Sequence, residues 1–320
     1  NKFAANFVGV TYLVLSAIFN FFKKRFFPFL WIRLKVIVIT HFFNEQYLLP
    51  WWLEHHLKIF DHGILIDHGS TDNSADICRQ LAPHWRLVKS SLSSFDAWLT
   101  DFEVMNYEKE ISGWKIALTT TEFLVSNPSL DELERYLQAE KKSGVSASGM
   151  TMVDKAPFEP PSEGLSLVEQ KPWAIDDNRF GKMKWLRQFL GYPKTPHRNR
   201  FYHCLPTGMY APGRHWTFHP DSAIRTPNLK VLHYAYSPWN DQFIQRKKQI
   251  GGKLSDADVR IGVGFQHLRN TDQLHKAFKR FDRLQHLNMM QHLFQIPVAN
   301  STPRLKSGDI IELPNPIRRG

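Results

Sequence analysis

Three short polar clusters carry side chains able to do chemistry: Asn44-Glu45, Asp67-His-Gly-Ser-Thr-Asp72 and Thr119-Thr-Thr-Glu122. Each follows an aliphatic run, at residues 35–40, 62–67 and 114–118, of the kind that forms a buried parallel strand. In an open parallel sheet the ligand crevice lies beyond the C-terminal ends of the strands. Short carboxylates at two such ends can grip a ribose and a base edge, and a third end can face phosphates. The Asp67–Asp72 stretch could instead be a turn plus a helix cap. Its position directly after a buried strand favours the binding role.

The elements that must hold these clusters read as alternating strands and helices. Helices are expected over residues 47–60, with Pro50 in the first turn, up to Leu81, over roughly 95–112 and over 129–142. Strands are expected at 85–89 and 145–153 as well. That alternation implies an α/β fold built on a mostly parallel sheet flanked by helices. Pro157, Pro160 and Pro161 mark a break. A loop-rich stretch comes next, to about 228, then a strand at 229–236 and helices at 238–250 and 271–294. The expected organisation is a hydrophobic segment at 1–34, a first half at 35–156, a second half at 157–296 and a loose tail at 297–320.

Charge divides the same way. The 320 residues hold 41 Lys and Arg against 30 Asp and Glu, but residues 37–177 are acidic and residues 178–320 strongly basic. The second half should therefore face something anionic. Nucleic acid is disfavoured, because the middle is acidic and no recognition motif is present. Two cysteines cannot build a disulfide scaffold, so a reducing compartment is the default. His55 and His56 read as packing residues. Arg246-Lys247-Lys248 reads either as a solvated helix face or as a phosphate clamp.

Phe3 to Phe22 carry no charge and run into Lys23-Lys24-Arg25. This reads as an anchor spanning or lying on a membrane, with the rest of the chain on its cytoplasmic face, or as a helix packed on the protein.

Asn44-Glu45, Leu49-Pro-Trp-Trp-Leu-Glu-His-His56, Ile66-Asp-His-Gly-Ser-Thr-Asp72 and Trp114 through Leu124 resemble, in order, motifs of the family-2-like glycosyltransferases of GT-A fold. Arg200-Phe-Tyr-His203, Gly213-Arg-His215 and Leu232-His-Tyr234 look similar to the later part of that group. The resemblance covers roughly residues 35–270. It implies a Rossmann-like half binding a UDP- or GDP-sugar and a C-terminal α/β extension on the acceptor side. The implied activity moves a sugar, with inversion, to a cell-surface glycan or lipid-linked acceptor. Donor contacts carried over by position are Asn44, Glu45, Asp67, Gly69, Asp72, Thr119 and Thr121, with Arg200 and Arg214 for phosphate. Asp154, Asp177 and Asp221 are candidates for the catalytic base.

Thr119 and Thr121 stand where the family has the two aspartates of its DxD motif. Mg²⁺ and Mn²⁺ are hard ions that want carboxylate oxygen. Glu122 and His233 could hold a metal instead, or Arg198, Arg200, Arg214, Arg246, Lys247 and Lys248 could neutralise the diphosphate without one. The basic half favours the second option, so no cofactor is expected to be required. The same loss also fits a catalytically degenerate relative that only binds nucleotide-sugar or glycan.

Overall fold

The computed structural model describes residues 36–175, 185, 189, 199–282 and 286–291. The expectations for residues 1–34, Asp177, Arg198 and the tail lie outside them. Among the described residues no helix is long and apolar enough to cross a membrane.

Four parallel strands form one side of the sheet: β1 (Ile37–Phe42), β2 (His62–Asp67), β3 (Arg86–Lys89) and β4 (Lys115–Thr119), in the order β3-β2-β1-β4. Their registers align the polar clusters, since His41 pairs with both Ile66 and Thr119, and Phe42 pairs with Asp67. The apolar runs end where the polar residues begin, so burial stops at one edge and leaves it for a site.

Side chains alternate across the strands. Val38 and Phe42 pack with Trp52, Leu53 and Phe123 on one face. Ile37, Ile39 and Ile66 pack with Val104 and Phe201 on the other. The first face is covered by α1 (Leu49–His56) and α2 (Ser74–Leu81), which pack on each other. Pro50 sits in the first turn of α1, as its missing N–H permits. His56 Nε2 accepts from Leu124 N at 3.2 Å, while its Nδ1 lies 2.9 Å from Trp52 O. His55 Nε2 sits 2.7 Å from Leu124 O. Both histidines thus tie α1 to the strand after β4. The other face is covered by α3 (Ala97–Lys109), whose N-terminus is capped by Asp96, accepting from Trp98 N and Leu99 N.

β5 (Glu122–Ser126) comes almost directly after β4, and α4 (Leu130–Ala139) starts with a capping box from Ser129 and Glu132. β6 (Gly144–Val153), the short α5 (Leu167–Gln170) and β7 (Trp173–Ile175) come next. β8 (Arg200–His203) inserts antiparallel between β4 and β6. β9 (Arg225–Tyr236) runs parallel to β6 and antiparallel to β5. The chain continues into α6 (Asp241–Gln249), α7 (Asp256–Arg260) and α8 (Thr271–Asp282). β10 (His286–Asn288) closes the far edge against β7.

Two expectations change here. The stretch expected as loop to 228 contains three strand segments, because β7, β8 and the first four residues of β9 are too short or too polar to show a period. Of the helix expected over 271–294, Thr271–Asp282 forms α8, whereas His286–Asn288 forms the edge strand β10.

Candidate functional site

The first two polar clusters bond to each other. Asn44 adopts φ 51°, and its N–H donates to Ser70 Oγ at 3.0 Å while its Oδ1 accepts from Thr71 N at 2.8 Å. Asp72 accepts from Gln46 N at 3.1 Å and from Ser74 N at 3.0 Å. Gly69 turns between them with φ 78°, a conformation that favours a residue without Cβ. Asn44 and Asp72 therefore hold the loop that presents Glu45. Asp67 Oδ1 accepts from Ser70 N at 2.8 Å. Asp67 also lines an open hollow of about 460 Å³ at the β3 edge, with Cys78, Arg79, Trp85 and Lys89.

Six of the expected residues meet in a second cavity of about 350 Å³ beyond the ends of β1 and β4. It is lined by Glu45, Thr119, Thr121, Arg200, Arg214 and His233, among others. The expected donor set is divided between these two hollows. Glu45, Thr119, Thr121, Arg200, Arg214 and His233 converge. Asp67 faces the other hollow.

The cavity walls are built from buried ion pairs. Arg200 Nε donates to Glu122 Oε2 at 2.7 Å. Arg214 Nη1 donates to Asp101 Oδ1 at 2.6 Å. Arg246 Nη2 donates to Glu45 Oε1 at 2.7 Å, with Nε on the other oxygen. Burial raises the Asp101 pKa, although Arg214 and the Gly213 N–H pull the other way. The loop at 213–214 is gripped from both sides: Arg200 Nη1 donates to Gly213 O at 2.7 Å, and Gly213 N donates to Asp101 Oδ2 at 2.8 Å. Arg214 itself is held at φ 58°, a strained value for a residue with a Cβ.

These pairings correct the expectation that Arg200, Arg214 and Arg246 stand free for phosphate. Each is charge-compensated by a buried carboxylate, because an uncompensated cation at such depth would be costly. Arg246 is neither a solvated face nor an open clamp; it locks Glu45. Lys247 donates to Ala235 O at 2.8 Å, and Lys248 reaches out to Thr271. Arg214 Nε is buried and has no partner among the described residues.

The Thr119 and Thr121 hydroxyls bond to each other at 3.0 Å, and Thr119 N donates to Glu122 Oε2 at 2.9 Å. His233 lies opposite Glu122 across β5 and β9, and opposite Thr151 across β6. Glu122 Oε2 accepts from both Arg200 Nε and Thr119 N, whereas its buried Oε1 has no partner among the described residues. Among the described residues no group of three His, Cys, Asp or Glu side chains could hold a metal.

Two candidate bases are absorbed by structure elsewhere. Asp154 receives Lys171 Nζ at 3.0 Å on both oxygens and Trp239 N at 2.9 Å. Asp221 receives Ser143 N at 2.8 Å. Neither lines the cavity.

His41 and Glu103 are absent from the expected site residues. His41, next to last in β1, sits inside an apolar run and lines the cavity, with Nε2 at 2.8 Å from Glu103 Oε2 on α3. Burial is the largest influence on His41 and lowers its pKa to about 4, against the raising effect of Glu103. Burial raises Glu103, but bonds from His41, Ser91 and Ser90 outweigh it and bring the carboxylate down to about 2. The pair was invisible because its members come from separate elements and His41 sits where strand periodicity expects an apolar residue.

No protein-family model and no curated protein matches the chain. Solved structures do resemble it. Glucosyl-3-phosphoglycerate synthase from Mycobacterium tuberculosis, in complex with Mn²⁺, uridine diphosphate and glucosyl-3-phosphoglycerate, is 14% identical over 57% of this chain and 61% of that one, with a TM-score of 0.31. TarS from S. aureus, residues 1–349, is 13% identical over 77% of this chain and 70% of that one, with a TM-score of 0.32. The chain thus spans less than two thirds of the synthase's length.

Proposed function

We propose that this chain is a glycosyltransferase that takes a nucleotide-sugar donor, UDP- or GDP-linked. The observation that carries the reading is convergence on one cavity beyond the parallel strand ends. Glu45, Thr119, Thr121, Arg200, Arg214 and His233 come from five separate stretches of the chain and meet there. These are positions that the motif resemblance gives to donor recognition. Arg214 can donate to a diphosphate through its remaining N–H groups and so stabilise it as it leaves. The acceptor in this reading is a cell-surface glycan or lipid-linked sugar, transfer inverts configuration, and residues 1–34 hold the chain at the cytoplasmic face of the membrane. Binding and turnover of a panel of UDP- and GDP-sugars test it. A chain that binds none of them is not a donor-using transferase.

A second reading, a donor-binding relative without turnover, is favoured by one observation. The carboxylate nearest the threonines, Glu122, is neutralised by Arg200. Saturable donor binding with no nucleoside diphosphate release would select it.

A further inference from the structure

Most of the large apolar side chains left exposed among the described residues fall in three segments. On the first turns of α3, Trp98, Leu99 and Phe102 are each at least half exposed, whereas Thr100, Asp101 and Val104 turn inward. In the loop closed by the antiparallel bridge between Tyr210 and Thr217, the exposed rings of Trp216 and Phe218 meet edge-on, with centroids 4.8 Å apart. Just after α7, Ile261 and Phe265 are 70% and 60% exposed, on a turn set by Gly262 and Gly264 at positive φ.

The segments adjoin one another. α3 begins against α7, with Ala97 N donating to Asp258 Oδ2 and Ser255 N to Phe95 O, both at 2.7 Å. On its next turn, Asp101 accepts from Gly213 N at 2.8 Å and pairs with Arg214. Ala97, Thr100, Gly213 and Val263, from the same three segments, line the cavity of about 350 Å³. Single exposed apolar residues are ordinary, but a group of them beside a cavity marks a contact surface.

We propose that these three segments form a docking surface for an anionic lipid bilayer. Trp and Phe set among aliphatic side chains suit the boundary between headgroups and acyl chains. The charge is of the matching sign. Asp101 is the one acid in the three segments, and it is buried on Arg214. Arg260 stands exposed beside Ile261, and the chain as a whole carries a net charge of +11. An anionic leaflet attracts such a surface. A second copy fits less well, because a two-fold interface sets a patch against itself and these segments offer Arg260 no exposed acid. The surface is separate from any anchor in residues 1–34, and it does not rest on the donor reading.

The test uses the full chain with an environment-sensitive nitrobenzoxadiazole dye attached through Ile261→Cys or Trp98→Cys. Cys204→Ser removes the exposed native thiol, and Cys78 is buried. Glu140→Cys is the control, exposed just before β6. The first residue of β6, Gly144, pairs with His203, as Lys115 at the start of β4 does, so this control stands at the opposite edge of the sheet. With vesicles of phosphatidylcholine and phosphatidylglycerol, the dye at Ile261→Cys and Trp98→Cys should shift to the blue and be quenched by brominated lipid. At Glu140→Cys it should do neither. A tether through residues 1–34 alone would leave both patch dyes in water, so that result overturns the proposal, as does equal burial at Glu140→Cys. Adding Arg260→Gln to the Ile261→Cys chain should raise the lipid concentration at half response about 5-fold. An equal response on phosphatidylcholine alone overturns the anionic assignment. A blue shift that grows with protein concentration in the absence of lipid gives the surface to a second copy instead. If Trp98→Cys fails to fold, Ile261→Cys decides the matter. Donor binding is not read in any arm, so failure here and failure of the glycosyltransferase reading stay distinct.

Discussion

Arg200 donates from Nε to Glu122 at 2.7 Å with side chains only 2% and 0% exposed. Two residues that the motif pattern would give to phosphate and metal are thereby spent on each other. Removing one partner of such a pair leaves a buried charge uncompensated, which typically costs about 3–5 kcal/mol. Arg200→Ala should lose stability of that order, measured by urea unfolding. Replacing Arg200 and Glu122 together by Met and Gln should cost less than Arg200→Ala alone. A double variant weaker than the single one would show that the pair is not coupled in this way.

The parallel strands were legible because aliphatic runs ended abruptly in polar clusters, as at Thr40 to Glu45 and Leu118 to Glu122. The ion pairs were not. Arg200 and Glu122 lie 78 residues apart, and Arg246 and Glu45 lie 201 apart. No local spacing links such residues; only the insertion of β8 beside β4 and the return of α6 bring them together. β5 reads in sequence as part of a motif rather than as a strand, because only two residues separate it from β4. The division of the donor set also escaped the sequence. Asp67 ends β2 and Glu45 comes shortly after β1, its neighbour, yet each opens on a different hollow.

Asp67 remains the sharper test of the first hollow. Asp67→Ala should weaken nucleotide-sugar binding far more than Asp76→Ala, whose exposed carboxylate only meets Arg79 at 2.6 Å. Because Asp67 also accepts from Ser70 N, Asp67→Asn is the control that keeps this acceptor. Equal donor affinity in Asp67→Ala and Asp76→Ala, both folded, would remove Asp67 from the donor site.

Acid should destabilise the fold through His41 and Glu103. His41 has a folded pKa near 4 against an ordinary 6.5, so between these values the unfolded chain binds a proton that the native one does not. Stability therefore rises with pH across that window and is lost as pH falls from about 6.5 towards 4. Glu103, brought down to about 2 from 4.5, adds a contribution present above 4.5 and lost on the way to 2. For His41 the full effect is of the order of 3 kcal/mol. Urea unfolding at a series of pH values should show the slope between 6.5 and 4 flattening in His41→Gln. An identical slope in the variant assigns the acid sensitivity to other groups.

Donor binding should depend little on Mg²⁺ or Mn²⁺. Thr119 and Thr121 present two neutral hydroxyls, already bonded to each other at 3.0 Å, where a dication wants carboxylate oxygens. Glu122 offers a single charge, and that charge is balanced by Arg200 at 2.7 Å. The diphosphate must then draw on N–H donors in the wall, of which Arg214 is one. Charge-assisted hydrogen bonds of this kind contribute about 1.5–3 kcal/mol, so Arg214→Gln should weaken donor binding roughly 10- to 100-fold. Arg214→Lys, which keeps the charge beside Asp101, should lose less. The joint change of Thr119→Asp and Thr121→Asp should create a requirement for metal that the unmodified chain lacks. Titration with EDTA separates the cases: unchanged donor affinity supports recognition by cationic side chains, whereas abolished binding would mean that substrate phosphate and His233 assemble an ion site despite these pairings.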